Sequence, residues 1–72
     1  MTNKQLANII TDYIPYWEQP HTERQENYNE TLNTLNTATK KELQEFYDYF
    51  KDDNETETLK IILTELEKRI KE

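Results

Sequence analysis

Between Glu42 and Glu57 the chain places seven carboxylates, Glu42, Glu45, Asp48, Asp52, Asp53, Glu55 and Glu57, against one lysine, Lys51. Carboxylates in that density can ligate a hard cation, exchange protons with a substrate, offer a charged surface to a basic partner, or simply keep a face solvated. The segment holds a net charge of −6, which is the formal charge of all 72 residues. The remainder of the chain balances its acids and bases, so the field is local.

The cation reading fails on spacing. Taking Asp52 as the first position of a twelve-residue calcium loop puts Glu57 where a glycine must turn the chain, and Leu63 where a bidentate glutamate is needed. No metal site and no cofactor are expected. Catalysis has as little support: His21 is the only histidine, Cys is absent, and paired carboxylates need a cleft that a chain this short can hardly enclose. No catalytic residue is assigned, and an enzyme is not expected.

These side chains need an element to position them, and composition says which kind. With no Gly, no Val and two Pro, β-hairpin turns lack their usual residues, and the chain reads as all-α. Leu6, Ile9, Ile10, Tyr13 and Ile14 make a 3.6-residue stripe, Thr2 and Gln5 have capping-box spacing, and Pro15 stops the first helix, predicted over about 2–14. Trp17 then folds back on that stripe or plugs the end of the bundle. A second helix over about 22–36 starts at Thr22 with Gln25 as its capping partner. It carries only Tyr28, Leu32 and Leu35 on one face among many Asn and Thr, so it should be the least stable element, frayed or shortened.

Thr39 and Glu42 open a third helix, about 39–52, with Leu43, Phe46, Tyr47 and Phe50 on its apolar face. At 100° per residue, Glu42, Glu45, Asp48 and Asp52 fall on the opposite side, and Tyr49 lands among them. Asn54 with Glu57 marks the last helix, about 55–71, which buries Leu59, Ile62, Leu63, Leu66 and Ile70 and sets Lys68, Arg69 and Lys71 against its negative dipole end. The short connection from Asp52 to Asn54 makes the last two helices an antiparallel hairpin. The expected fold is a single all-α domain over residues 1–72, a small bundle of three to four helices closed by a C-terminal antiparallel helical hairpin. Helix one would pack across the hairpin, and helix two would complete the bundle or lie loosely alongside.

The partner-binding face is therefore Glu42, Glu45, Asp48, Tyr49, Asp52, Asp53 and Glu55. Lysines at i+4 normally offset acids on an exposed helix, and here only Lys51 is present. Carboxylates recurring every third or fourth residue lie about 5–6 Å apart, close to the spacing of successive phosphates on a nucleic-acid strand, and Tyr49 can supply a flat stacking contact. The negative total repels nucleic acid and anionic lipid, so direct binding to either is not expected, whereas a basic protein that normally holds DNA in a channel or groove is attracted. The longest apolar run is Ile61 to Leu63, and Met1 is followed by Thr2, Asn3 and Lys4, so neither a membrane span nor a signal peptide is expected and the protein reads as cytoplasmic. A core this small invites oligomerisation. Ile61 projects away from the last helix's stripe and is the expected self-association residue of a homodimer.

An acidic helical chain of this length, free of Cys and Gly and rich in Asn, Thr, Lys and Glu, resembles the small host-takeover proteins of phages that infect low-GC Gram-positive bacteria. Within that group its size and charge layout are similar to DNA-mimic inhibitors, including those that enter the basic channel of the bacterial sliding clamp. The resemblance implies an inhibitor of a host DNA-handling protein, working in the host cytoplasm through the acidic face. Clamp-box-like spacings at Gln5 to Ile9 and at Gln44 to Phe50 use apolar residues that the helix stripes already require. The stretch from Thr39 to Glu72 also resembles helical-hairpin inhibitors of histidine kinases, through Glu42-Leu43, Tyr47, Phe50 and Leu66 to Arg69. That resemblance implies binding through a few apolar anchors, and a self-associating structural phage protein is the remaining alternative.

Overall fold

The computed structural model describes residues 1–53 and 56–72. Every regular element among them is helical: α1 (Asn3–Tyr13), a 3₁₀ turn (Tyr16–Glu18), α2 (Arg24–Thr37), α3 (Lys40–Lys51) and α4 (Glu57–Lys71). The fold class is all-α. Two compact units, Met1–Thr37 and Ala38–Glu72, are built from α1 with α2 and from α3 with α4.

In the first unit, α1 starts where its capping box requires. The Thr2 hydroxyl accepts from the Gln5 backbone N–H at 3.1 Å, and the Gln5 side chain returns an acceptor to the Thr2 N–H at 2.9 Å. The helix ends at Ile14, whose extended backbone is what a following proline imposes. Leu6, Ala7 and Ile10 are buried, Ile9, Tyr13 and Ile14 half-buried, and Thr11 is buried with its hydroxyl donating to the Ala7 carbonyl at 2.7 Å.

Two expectations for this unit are overturned. The second helix is not shortened: α2 runs 14 residues and packs on α1, burying Leu35 and Asn27. Polar side chains supply what its thin apolar stripe lacks. Asn27 donates to the His21 and Glu23 carbonyls at 2.9 and 3.1 Å and accepts from the His21 N–H at 3.1 Å, so one buried amide ties down the helix start. At the other end Asn3 of α1 donates to Asn36 at 2.8 Å, and the Thr34 and Thr37 hydroxyls turn back on the Glu30 and Asn33 carbonyls. The second correction is Trp17, which neither folds back nor plugs a gap. It is 83 % exposed on the 3₁₀ turn. The physical reason lies in Gln19, whose amide donates to the Thr11 and Ile14 carbonyls at 3.1 and 2.8 Å and so covers the end of α1 that the indole was expected to cover.

In the second unit, Thr39 and Glu42 make the full capping box, with the Thr39 hydroxyl accepting from the Glu42 N–H and the Glu42 carboxylate accepting from the Thr39 N–H, each at 3.2 Å. Leu43 and Phe50 are buried, Phe46 and Tyr47 half-buried, and the Phe46 and Phe50 rings stack at 5.2 Å between centroids. From α4 come buried Leu59, Ile62 and Leu66, with Leu63 and Ile70 half-buried. The cap of α4 is Thr56, whose hydroxyl accepts from the Leu59 N–H at 3.1 Å, and the helix begins at Glu57, two residues later than its sequence signal. Asn54, the expected start, lies outside the described residues.

Candidate partner-binding face

The capping box that starts α3 and the apolar stripe that packs it together leave one side of the helix to water. Glu42, Glu45, Asp48, Tyr49 and Asp52 are all exposed, as is Asp53 just beyond the helix. Glu55 lies outside the described residues. From Glu45 to Asp52, the C-cap, seven residue steps rise about 10 Å, so these carboxylates form a line rather than a cluster.

The line is not uniform. Glu42 accepts from both the N–H and the hydroxyl of Thr39, which commits its Oε1 to the cap. Asp48 accepts from the Gln44 amide at 3.0 Å and lies 3.3 Å from the Lys51 ammonium. The Gln44 hydrogen bond and then Lys51 hold the Asp48 carboxyl below its usual range. Lys51, the one base of the segment, is thus paired with Asp48, and Glu45 and Asp52 make no side-chain hydrogen bond or ion pair among the described residues. Tyr49 is 57 % exposed, and its ring stands edge-on to Phe50 at 5.1 Å. The outcome is an exposed aromatic ring among carboxylates, two of which have no side-chain partner among the described residues.

Ile61 is 43 % exposed on α4. His21 sits at the start of α2 with Nε2 2.7 Å from the Glu30 carboxylate and Nδ1 3.3 Å from Glu26, so its ring is part of a polar clip on that helix. Among the described residues no group of three or more His, Asp or Glu converges in a way that could hold a metal ion.

Two features have no counterpart in the sequence reading. Glu65 is buried on α4, its carboxylate 3.0 Å from the Lys68 ammonium and 3.4 Å from the Arg69 guanidinium, which also donates to the Glu65 carbonyl at 2.9 Å. Lys68 first, then Arg69, pull the Glu65 carboxyl below its usual range against the opposing effect of desolvation. The i+3 and i+4 spacing of the two bases was the available signal. Exposure of the aromatic turn at Tyr16 and Trp17 is the other, and only Pro15 and Pro20, which bracket a tight turn, foreshadow it.

No helix among the described residues is long and apolar enough to cross a membrane. Comparison with protein-family models, with curated proteins and with solved structures finds no match to this chain.

Proposed function

We propose that this protein is a binding protein rather than an enzyme, and that it inhibits a basic, DNA-handling host protein by presenting the carboxylates of α3 where that protein normally holds nucleic acid. The observation that carries the reading is the exposed line on α3, in which Glu45 and Asp52 have no side-chain partner among the described residues and Tyr49 lies exposed between them along the helix. Unpaired like charges on one helix face need no existing ion pair to be broken when a partner's lysines and arginines close on them, and their field accelerates encounter. A sliding clamp, whose channel is basic, fits this chemistry, and the host cytoplasm is where the two would meet. The combined variant Glu45→Gln, Asp52→Asn tests it. Affinity capture from a bacterial lysate with the wild-type chain should retain a DNA-binding protein at low salt and lose it at high salt, and the double variant should fail to retain it at either. Retention independent of salt and of both substitutions defeats the proposal.

A second reading rests on the exposure of Tyr49 and Ile61: α3 and α4 would bind a regulatory protein such as a histidine kinase through those apolar anchors. Its mark is binding that survives high salt and is abolished by Tyr49→Ala or Ile61→Ala. The chain is also read as a homodimer, with Ile61 on α4 as the residue through which two copies pair.

A further inference from the structure

Residues 1–37 contain the carboxylates Asp12, Glu18, Glu23, Glu26 and Glu30 and only two bases, Lys4 and Arg24. Both bases line one groove of about 370 Å³ between α1 and α2, together with Gln5, Asn8, Gln25 and Tyr28, and none of those carboxylates does. The sequence explains the exclusion. The i+4 position of Lys4 is Asn8 and that of Arg24 is Tyr28, so neither base has on its own helix the acid that commonly offsets one.

The fold then consumes the acceptors of this groove and leaves its donors. Gln5 Oε1 accepts from the Thr2 N–H in the capping box at 2.9 Å, and Asn8 Oδ1 accepts from Arg24 Nη2, so each amide is oriented with its NH₂ remaining. Arg24 Nε donates to Asp12 at 2.8 Å, which offsets one positive charge and fixes the guanidinium plane. Its Nη1 has no partner among the described residues, nor has the Lys4 ammonium or the Tyr28 hydroxyl. Gln25 is different: its NH₂ donates to Asn29 at 3.0 Å, and its carbonyl remains.

We propose that this groove binds a small phosphomonoester, whose phosphate accepts from Lys4, Arg24 and the neighbouring amides while its organic part lies along Tyr28. A phosphate dianion offers three acceptor oxygens and no donor, the complement of what the groove has left, whereas a carboxylate offers two oxygens and half the charge. The groove falls within the roughly 300–1,000 Å³ of small-molecule sites and exceeds what phosphate alone would fill. A nucleic-acid strand carries the same group, but its charge repeats along its length and meets the carboxylates outside the groove as well as the lining. Charges beyond a Debye length of about 8 Å at physiological salt are largely screened, so for a small ester the lining sets the sign. The cations are exposed, so binding is weak.

NMR titration of the ¹⁵N-labelled full chain with phenyl phosphate, at constant ionic strength set with sodium chloride, tests the proposal. The side-chain amides of Gln5 and Asn8 and the Arg24 Nε–H should shift and saturate with a Kd on the order of 1 mM. Benzoate should bind several-fold more weakly. Lys4→Gln removes a side chain with no partner in the fold, so it should leave helicity unchanged and weaken phenyl phosphate at least about fivefold, and Lys4→Glu should abolish binding. Glu45→Gln with Asp52→Asn, on the other unit, should leave the affinity as it is, which separates this site from the acidic face of α3. Shifts that do not saturate, that sodium chloride alone reproduces, or that survive Lys4→Glu overturn the proposal. Benzoate binding as tightly as phenyl phosphate overturns the assignment to phosphate, and a groove that responds to a short oligonucleotide but not to phenyl phosphate overturns it in favour of nucleic acid.

Discussion

Asn27 is the residue on which the first unit depends most for its polar economy. It is buried, and its amide serves the His21 N–H, the His21 carbonyl and the Glu23 carbonyl at once. Replacing it with alanine strands the His21 N–H and carbonyl, while the Glu23 carbonyl keeps the backbone N–H of residue 27, so Asn27→Ala should cost about 1–3 kcal/mol in urea unfolding; a loss below about 0.5 kcal/mol would show that water replaces the amide. Glu65 makes a different expectation, tied to pH. Its carboxyl is held below the usual range by Lys68 and Arg69 in the folded chain, so the stability it contributes is fully present above its unfolded pKa and fades as pH falls through the lower folded value. Wild type should therefore exceed Glu65→Gln in stability near pH 7 and approach it at acid pH, as followed by melting temperature at several pH values. Because Lys68 remains 64 % exposed, solvent screens this contribution and the difference should be modest. A gap that widens on acidification would reverse the sign of the argument.

At the scale of the elements, the capping boxes decide where α1 and α3 begin, and the sequence announced both. Thr39→Ala removes the cap of the helix that carries the acidic line, and should cost about 1 kcal/mol in thermal or urea unfolding, with a matching loss for Thr2→Ala in the other unit. Equal stability of Thr39→Ala and wild type would mean that α3 is held by packing alone. The 3₁₀ turn is an element the sequence did not reveal. Its two prolines were legible as breakers, but the Gln19 side chain that closes it reaches back to carbonyls five and eight residues earlier, a pairing no local pattern encodes. The same holds for α2, whose polar residues lowered its expected stability, while in the folded chain Asn27, Asn36 and Arg24 tie it to its surroundings. Arg24 lies 2.8 Å from Asp12 on α1, so a side chain twelve positions away helps hold the helix start.

For the whole molecule, charge and apolar exposure lie on different segments of the chain. The net charge of −6 is concentrated around α3, and the largest exposed apolar side chain is on the turn after α1. Neutralising the unengaged acids should leave the fold intact: Glu45→Gln with Asp52→Asn should hold or slightly raise the melting temperature at low salt, because like charges on one helix face repel. A marked fall would place those carboxylates in the fold's own support rather than on a surface available to a partner.

The all-α class, the two capping boxes, the apolar stripes of α1, α3 and α4, and the exposure of Tyr49 among the acids were legible in the residues themselves, because capping and amphipathic periodicity act over three or four positions. Tertiary structure alone decided the pairing of α1 with α2, the polar contacts that hold α2 in place and the outward position of Trp17. Each of these depends on a polar side chain finding a partner, or on an aromatic ring losing its place to a competing one. Such outcomes turn on which groups meet after the helices have formed, and no spacing along the chain records them.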